Sequence, residues 1–275
     1  MNPDKNGSTR EFQTLIFQSP EPGIGHLILN RPERLNALSL SMADEIHELL
    51  DEMNDRDDIR VIIISGAGRG FCSGADLSSP DLLTPSIYEG AAGHLRSIQR
   101  KYSGLIKKIR TIPQPVISIV HGPAAGGGMC LALASDIVYA SPNATFINSF
   151  INIGLSGGEL GSSYLLPRLA GFSRAAEILY TGRIVAALEA DRIGLITRLV
   201  DDENKLFELA METAREMLKK NPTGLRLTKE ALNRNSSAVS LEAAIELEDL
   251  NQSISVTLPE IQAAVKKFIK KSTEK

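Results

Sequence analysis

Residues 66–76 and 122–130 read GAGRGFCSGAD and GPAAGGGMC, two glycine-rich loops about fifty residues apart. Each follows a β-branched run, RVIIIS or PVISIV, patterned as a buried strand. A strand that ends in glycines delivers backbone N–H groups unscreened by side chains. Converging donors of that kind stabilise an oxyanion, such as a thioester carbonyl on its way to an enolate. Taken alone, the glycines are equally well explained by tight turns and close packing.

Other reactive side chains are few. Glu159 lies in GLSGGELGSSYLLPR, where on local pattern it reads as a helix-start glutamate facing free N–H groups. Cys130 ends the second loop and Cys72 sits in the first. A thiolate at Cys130 would be a nucleophile, but no base lies near it in sequence, and a thiol in an apolar helix is ordinarily inert. Cys72 reads as packing. His26, His47, His94 and His121 show no metal-ligand pattern, and His121 reads as a structural hydrogen bond beside the Gly122 turn. Two cysteines give neither a metal spacing nor a disulfide framework.

The elements that must carry these loops follow from patterning. Strand-like runs occupy 14–18, 26–30, 60–65, 116–120, 136–140 and 145–148. Ser39 or Ser41 is placed to cap a helix through Met53. Residues 77–90, with Pro80 and Pro85, read as an irregular loop, followed by a helix over 93–110 that points Leu95, Ile98, Tyr102, Leu105, Ile106 and Ile109 inward. A short helix over 128–134 follows the second loop. After Ser162 the pattern is helical: 164–170, 173–181, 186–193, 203–220, 222–233, 240–252 and 259–271. The organisation expected is a disordered leader over 1–11, an α/β spiral core over 12–200 and a helical region over 201–275.

The chain has 275 residues, 43% hydrophobic and 23% charged, with a net charge of −3. That charge argues against a nucleic-acid footprint. No run approaches the ~18 apolar residues of a membrane span, and the polar N-terminus lacks a secretory signal. The cytoplasm is the expected compartment, or an organelle matrix for a chain freed of its targeting peptide.

LNRPERLNALS (29–39), SGAGRGFCSGADL (65–77), VHGPAAGGG (120–128), SDIVYAS (135–141), LPRLAGFSRAAEILYTGR (166–183) and NPTGLRLTKEALN (221–233) resemble, in one register, the enoyl-CoA hydratase/isomerase (crotonase) superfamily. The resemblance implies an α/β spiral of ββα units with a C-terminal helical trimerisation region, assembled as a homotrimer or dimer of trimers. It implies an acyl-CoA thioester as substrate and no separate cofactor. It places oxyanion donors at the Ala75 and Gly127 N–H groups, with Gly74, Asp76, Leu77 and Gly126 beside them. It brings Arg31 and Arg34, otherwise solvated turn charges, near the nucleotide end of CoA. Phe268 with Lys267, Lys270 and Lys271 resembles the C-terminal helix that reaches a neighbouring subunit's adenine pocket; a basic amphipathic tail is the alternative. His94 and Tyr88 fall in or just after the loop that borders the acyl pocket in the superfamily, either as substrate contacts or, as the simpler reading, as surface or satisfied side chains.

Hydratases of the superfamily hold water between two glutamates. The matching positions here are Cys130 and Phe150. The acid left nearby is Glu159, close to where some isomerases and dehalogenases of the superfamily carry theirs. The expected chemistry is therefore double-bond isomerisation, or hydration–dehydration, with one carboxylate. A catalytically reduced CoA-ligand-binding protein and a thioester hydrolase are the alternatives.

Overall fold

The structure, a computed structural model, describes residues 9–78 and 90–273. The chain divides after Ala214 into two compact units.

In the first unit, β1 (Thr9–Glu11), β2 (Leu15–Glu21) and β3 (Gly23–Leu29) run antiparallel at one side of a seven-stranded sheet. β4 (Ile59–Gly66), β5 (Val116–Val120), β7 (Ile137–Ala140) and β10 (Arg198–Leu199) continue it in parallel. A second sheet pairs β6 (Pro123–Ala125) with β8 (Thr145–Ile147) in parallel, and β8 with β9 (Ile184–Ala186) antiparallel. Strands covered on both faces need unbroken apolar runs. IRVIIISG and VISIV meet that need: Val61, Ile63, Val116 and Ile117 are fully buried. Because β4 and β5 are adjacent and parallel, with Ile62 opposite Val116, both glycine loops leave from the same edge, the carboxyl ends where α/β sheets bind ligands.

Residues Thr9–Glu11, placed in the leader on sequence, instead form β1. Arg10 ties it down, pairing with Glu48 and, at 2.6 Å, with Glu52, and stacking on Phe12. Helix α1 (Leu40–Met53) starts where the Ser39 hydroxyl accepts the Met42 N–H at 3.1 Å, and it buries Met42, Ala43, Ile46, Leu49, Leu50 and Met53. Helix α2 (Gly90–Thr111) packs along α1 and buries Ile98, Tyr102, Leu105, Ile106 and Ile109. Leu95 departs from expectation and stands exposed. Helix α3 (Gly127–Ala134) is apolar all round, and all of its residues are buried. Then come α4 (Ser162–Ala170), α5 (Phe172–Thr181), α6 (Ala187–Arg192) and α7 (Leu206–Leu218).

His26 on β3 is buried between the Gln18 amide (3.2 Å) and the Ser65 hydroxyl (2.8 Å), against the Phe207 ring. Burial pushes its pKa down to about 4. The folded state thus favours neutral His26, and the unfolded chain binds the proton first. Stability is complete above pH ~6.5 and falls as the pH drops toward 4, by up to about 3 kcal/mol. Urea titrations between pH 4 and 7 should show this slope, and His26→Gln should flatten it.

The second unit, residues 215–275, holds α8 (Pro222–Asn235), α9 (Leu241–Ser255) and α10 (Pro259–Thr273). Asn221 and Ser240 cap α8 and α9 by accepting N–H groups at 3.1 and 3.2 Å. Helices α8 and α9 pack together, and Asn235 donates to Glu248 across them. No helix among the described residues is long and apolar enough to cross a membrane.

Candidate active site

The segment 71–76 is threaded between two partners. On one side the Phe71 and Cys72 N–H groups both donate to the Pro123 carbonyl at 3.1 Å, and the Ala125 N–H donates to the Cys72 carbonyl at 2.9 Å. On the other side, the Leu38 N–H donates to the Gly74 carbonyl (2.7 Å) and the Asp76 N–H to the Leu38 carbonyl (2.9 Å). This parallel bridge fixes Ala75. A trans peptide holds its C=O and N–H antiparallel. With the Gly74 carbonyl turned to Leu38, the Ala75 N–H points the opposite way.

Gly127 opens α3. The Gly126 carbonyl accepts the Cys130 N–H at 3.1 Å, so the Gly127 N–H projects from the helix N-terminus. Among the described residues neither the Ala75 nor the Gly127 N–H has an acceptor. The two loops touch: a methyl group on Gly74 would stand 3.2 Å from the Gly127 nitrogen and 2.7 Å from the Ala125 carbonyl. Gly74 has φ +92° and Gly126 φ +49°, so both positions favour glycine twice over. Two free, adjacent donors can bind one oxygen that gains charge.

Around them the walls are apolar. Leu38 and Leu160 lie over Gly127, and the Phe150 ring and the half-buried Ser149 hydroxyl flank Gly126. Cys130 is fully buried, and its thiol faces the Glu159 carbonyl at 3.8 Å. Burial, then the nearby Glu159 charge, pushes the Cys130 pKa far up, while burial lifts Cys72 to about 12. Both remain thiols at neutral pH.

Glu159 is half-buried in the turn before α4. Its N–H donates to the Ser162 hydroxyl (3.1 Å), its carbonyl accepts the Ser162 N–H (2.9 Å), and Oε1 accepts the Leu160 N–H (3.0 Å). Oε2 has no partner among the described residues. Leu160 sits at φ +46°, a left-handed conformation uncommon for leucine. The glutamate is thus held through its main chain, with one carboxylate oxygen available to take or give a proton.

Of the remaining expected residues, Arg31 turns inward: its guanidinium binds the Ala37 carbonyl (2.7 Å) and the Asp76 carboxylate (2.9 Å). Ser78 first and Arg31 next hold the Asp76 carboxyl below its ordinary pKa. Arg34 is exposed and has no side-chain partner among the described residues, and Leu77 is 61% exposed. His94 is half-buried, and His121 binds the Gly68 carbonyl at 2.8 Å. Tyr88 and the side chains of Phe268 and Lys271 lie outside the described residues.

Three supports were not anticipated on sequence. Fully buried Asn36 donates to the Ala67, Gly70 and Phe71 carbonyls, stitching the RPERLNALS turn to the first glycine loop. Its φ of +54° is a conformation asparagine tolerates, and its place inside LNRPERLNALS is the sequence signal it carries. Tyr102 and Ser162 are the others, and neither stands in a recognisable motif. No cluster able to hold a metal ion occurs among the described residues.

A fold with this edge and these loops has many relatives. The family model for enoyl-CoA hydratase/isomerase matches residues 20–275, so the chain belongs to that family. A probable enoyl-CoA hydratase of Mycobacterium tuberculosis is 43% identical over 244 residues, covering 86% of this chain and 83% of that protein. The 1,2-epoxyphenylacetyl-CoA isomerase of Escherichia coli is 36% identical over 257 residues, covering 93% and 95%. Enoyl-CoA hydratase from Bacillus anthracis superposes with a TM-score of 0.86 at 30% identity, covering 94% and 97%. The architecture is therefore the crotonase fold, with a helical C-terminal region.

Proposed function

We propose that the protein binds an acyl-CoA thioester with its carbonyl oxygen between the Ala75 and Gly127 N–H groups, and that Glu159 then moves a proton on the acyl chain. The observation that carries this reading is the pairing, among the described residues, of two acceptor-free amides with the nearby Glu159 carboxylate, whose Oε2 has no partner. Charge that develops on the carbonyl oxygen as the α-proton leaves meets donors already in place, so little reorganisation is needed. The Gly127 donor adds the positive end of the α3 dipole.

The reaction favoured is double-bond isomerisation. One base removes a proton at one carbon and returns it at another, which Glu159 can do alone. At the two positions that match the hydratase glutamates stand Cys130, a buried neutral thiol, and Phe150, a buried ring, and neither side chain can act as an acid or base at neutral pH. Arg34, exposed beside the first loop, is the better CoA phosphate contact, because Arg31 is engaged with Asp76. Phe268 and Lys271 remain proposed contacts for the adenine end.

Mass spectrometry on 3-enoyl-CoA and 2-enoyl-CoA substrates separates the readings. Isomerisation moves the double bond without changing mass, beyond deuterium gained from deuterated water. A product one water heavier would replace isomerisation with hydration. Free CoA, titrated with a thiol reagent, would mark a hydrolase. A bound but unaltered panel would mark a ligand-binding protein.

Self-association through the second unit is proposed as well. Leu232, Leu241, Leu250 and Ile254 of α8 and α9 are each more than half exposed, a larger apolar surface than a solitary helical pair needs. Sedimentation should give a trimer or hexamer for the wild type and a smaller species for the Leu250→Asp/Ile254→Asp variant. A monomeric wild type contradicts this.

A further inference from the structure

Tyr102 projects from α2 into the core, where it is 4% exposed, and donates its hydroxyl to the Leu38 carbonyl at 2.9 Å. That same carbonyl accepts the Asp76 N–H at 2.9 Å, and the Leu38 N–H holds the Gly74 carbonyl at 2.7 Å. Leu38 therefore grips both peptide planes that flank Ala75. The plane on the Gly74 side carries the Ala75 N–H, and its rotation sets where that donor points.

We infer that Tyr102 is a positioning residue for the Ala75 amide, acting through the Leu38 carbonyl; the inference rests on the carbonyl-binding role proposed above. A main-chain carbonyl has two acceptor sites. With one taken by Asp76 and the other by Tyr102, the Leu38–Ser39 peptide cannot tilt without breaking a buried hydrogen bond, and through Leu38 it keeps the N–H that holds the Gly74 carbonyl in register. Arg31 braces the same bridge from its other end, through Ala37 and Asp76. The phenol keeps its proton and so remains a donor, because burial, then the Asp76 charge, raises its pKa to about 12. Helix α2 thereby sets the geometry of an amide far from it in sequence.

The test is Tyr102→Phe, which keeps the ring and removes only the hydroxyl. The probe is hexanoyl-CoA labelled with carbon-13 at the thioester carbonyl, a saturated ligand that does not turn over. Infrared difference spectra report hydrogen bonding at the carbonyl, and exchange of the α-proton with deuterated water reports enolate formation. Wild-type protein should shift the bound carbonyl stretch to lower frequency. The variant should lose about half of that shift, one of the two donors being misaimed. It should also exchange the α-proton about tenfold more slowly with an unchanged dissociation constant for hexanoyl-CoA. A full wild-type shift with exchange within about twofold of wild type, whatever the change in Tm, overturns the inference and assigns Tyr102 to packing alone. No shift in the wild type overturns the carbonyl-binding reading, and the Tyr102 inference with it.

Discussion

Glu159→Gln should lower kcat by roughly 10²–10⁴ while leaving the dissociation constant of a saturated acyl-CoA unchanged. The amide keeps the size of the side chain and can still accept the Leu160 N–H that the carboxylate now holds at 3.0 Å. What it lacks is a basic oxygen to take the α-proton. The main-chain anchors, the Ser162 hydroxyl on the Glu159 N–H and the Ser162 N–H on the Glu159 carbonyl, do not involve the side chain and persist. The loss corresponds to about 3–5 kcal/mol of barrier, all in the chemical step. Steady-state kinetics with isothermal titration of the saturated ligand checks both halves. Turnover within tenfold of wild type would remove Glu159 from the mechanism.

Gly128→Ala should be the most damaging single-methyl change near the site. A Cβ there would lie 2.1 Å from the Cys72 carbonyl oxygen and 2.7 Å from its carbonyl carbon. Both neighbours are main chain, already locked by the Ala125 N–H on the Cys72 carbonyl. Neither can swing aside, so α3 must lift away from the segment that carries Ala75. Destabilisation of about 3 kcal/mol is expected, or about 6–12 °C in Tm for a chain of this size. The contrast is Gly224→Ala near the start of α8. There the nearest atom to an added Cβ is 3.9 Å away, and alanine should stabilise by about 0.5–1 kcal/mol. Differential scanning calorimetry of both variants decides the matter. Equal Tm values would mean that the 66–76 and 122–130 loops do not pack as described.

Much of this arrangement was legible in the sequence, for physical reasons that differ by element. β4 and β5 announced themselves because strands buried on both faces must be continuously apolar. α1 was legible through a serine cap at Ser39 or Ser41 and its apolar period; Ser39 is the residue that caps, and the apolar positions are buried as anticipated. β6, β9 and β10 were not, being three, three and two residues long, with too few positions to show a period. β6 even begins with a proline, and it is a strand only because β8 pairs with it from afar. Leu95 fits the α2 period yet faces outward, since periodicity says nothing of where the neighbouring layer stops.

The site divides the same way. Glycine runs at the ends of two adjacent parallel strands pointed to main-chain donors, and Ala75 and Gly127 do leave their N–H groups without acceptors among the described residues. That freedom depends on Leu38, which no local pattern connects to Ala75. Arg31 is less legible. The resemblance puts it near the nucleotide end of CoA, with a solvated turn charge as the alternative, and neither reading foresees that its guanidinium spans Ala37 and Asp76 and fastens the first loop. Charge type is written in the sequence; the partner that uses it is set by the fold.

Joint binding of a thioester carbonyl by Ala75 and Gly127 underlies every step proposed for this site, and a crystal structure with hexanoyl-CoA bound would measure it. The carbonyl oxygen should lie about 2.7–3.1 Å from both amide nitrogens, with a Glu159 oxygen within about 5 Å of the α-carbon, close enough to act directly or through one water. A carbonyl oxygen bound elsewhere, with both N–H groups facing solvent, would contradict it.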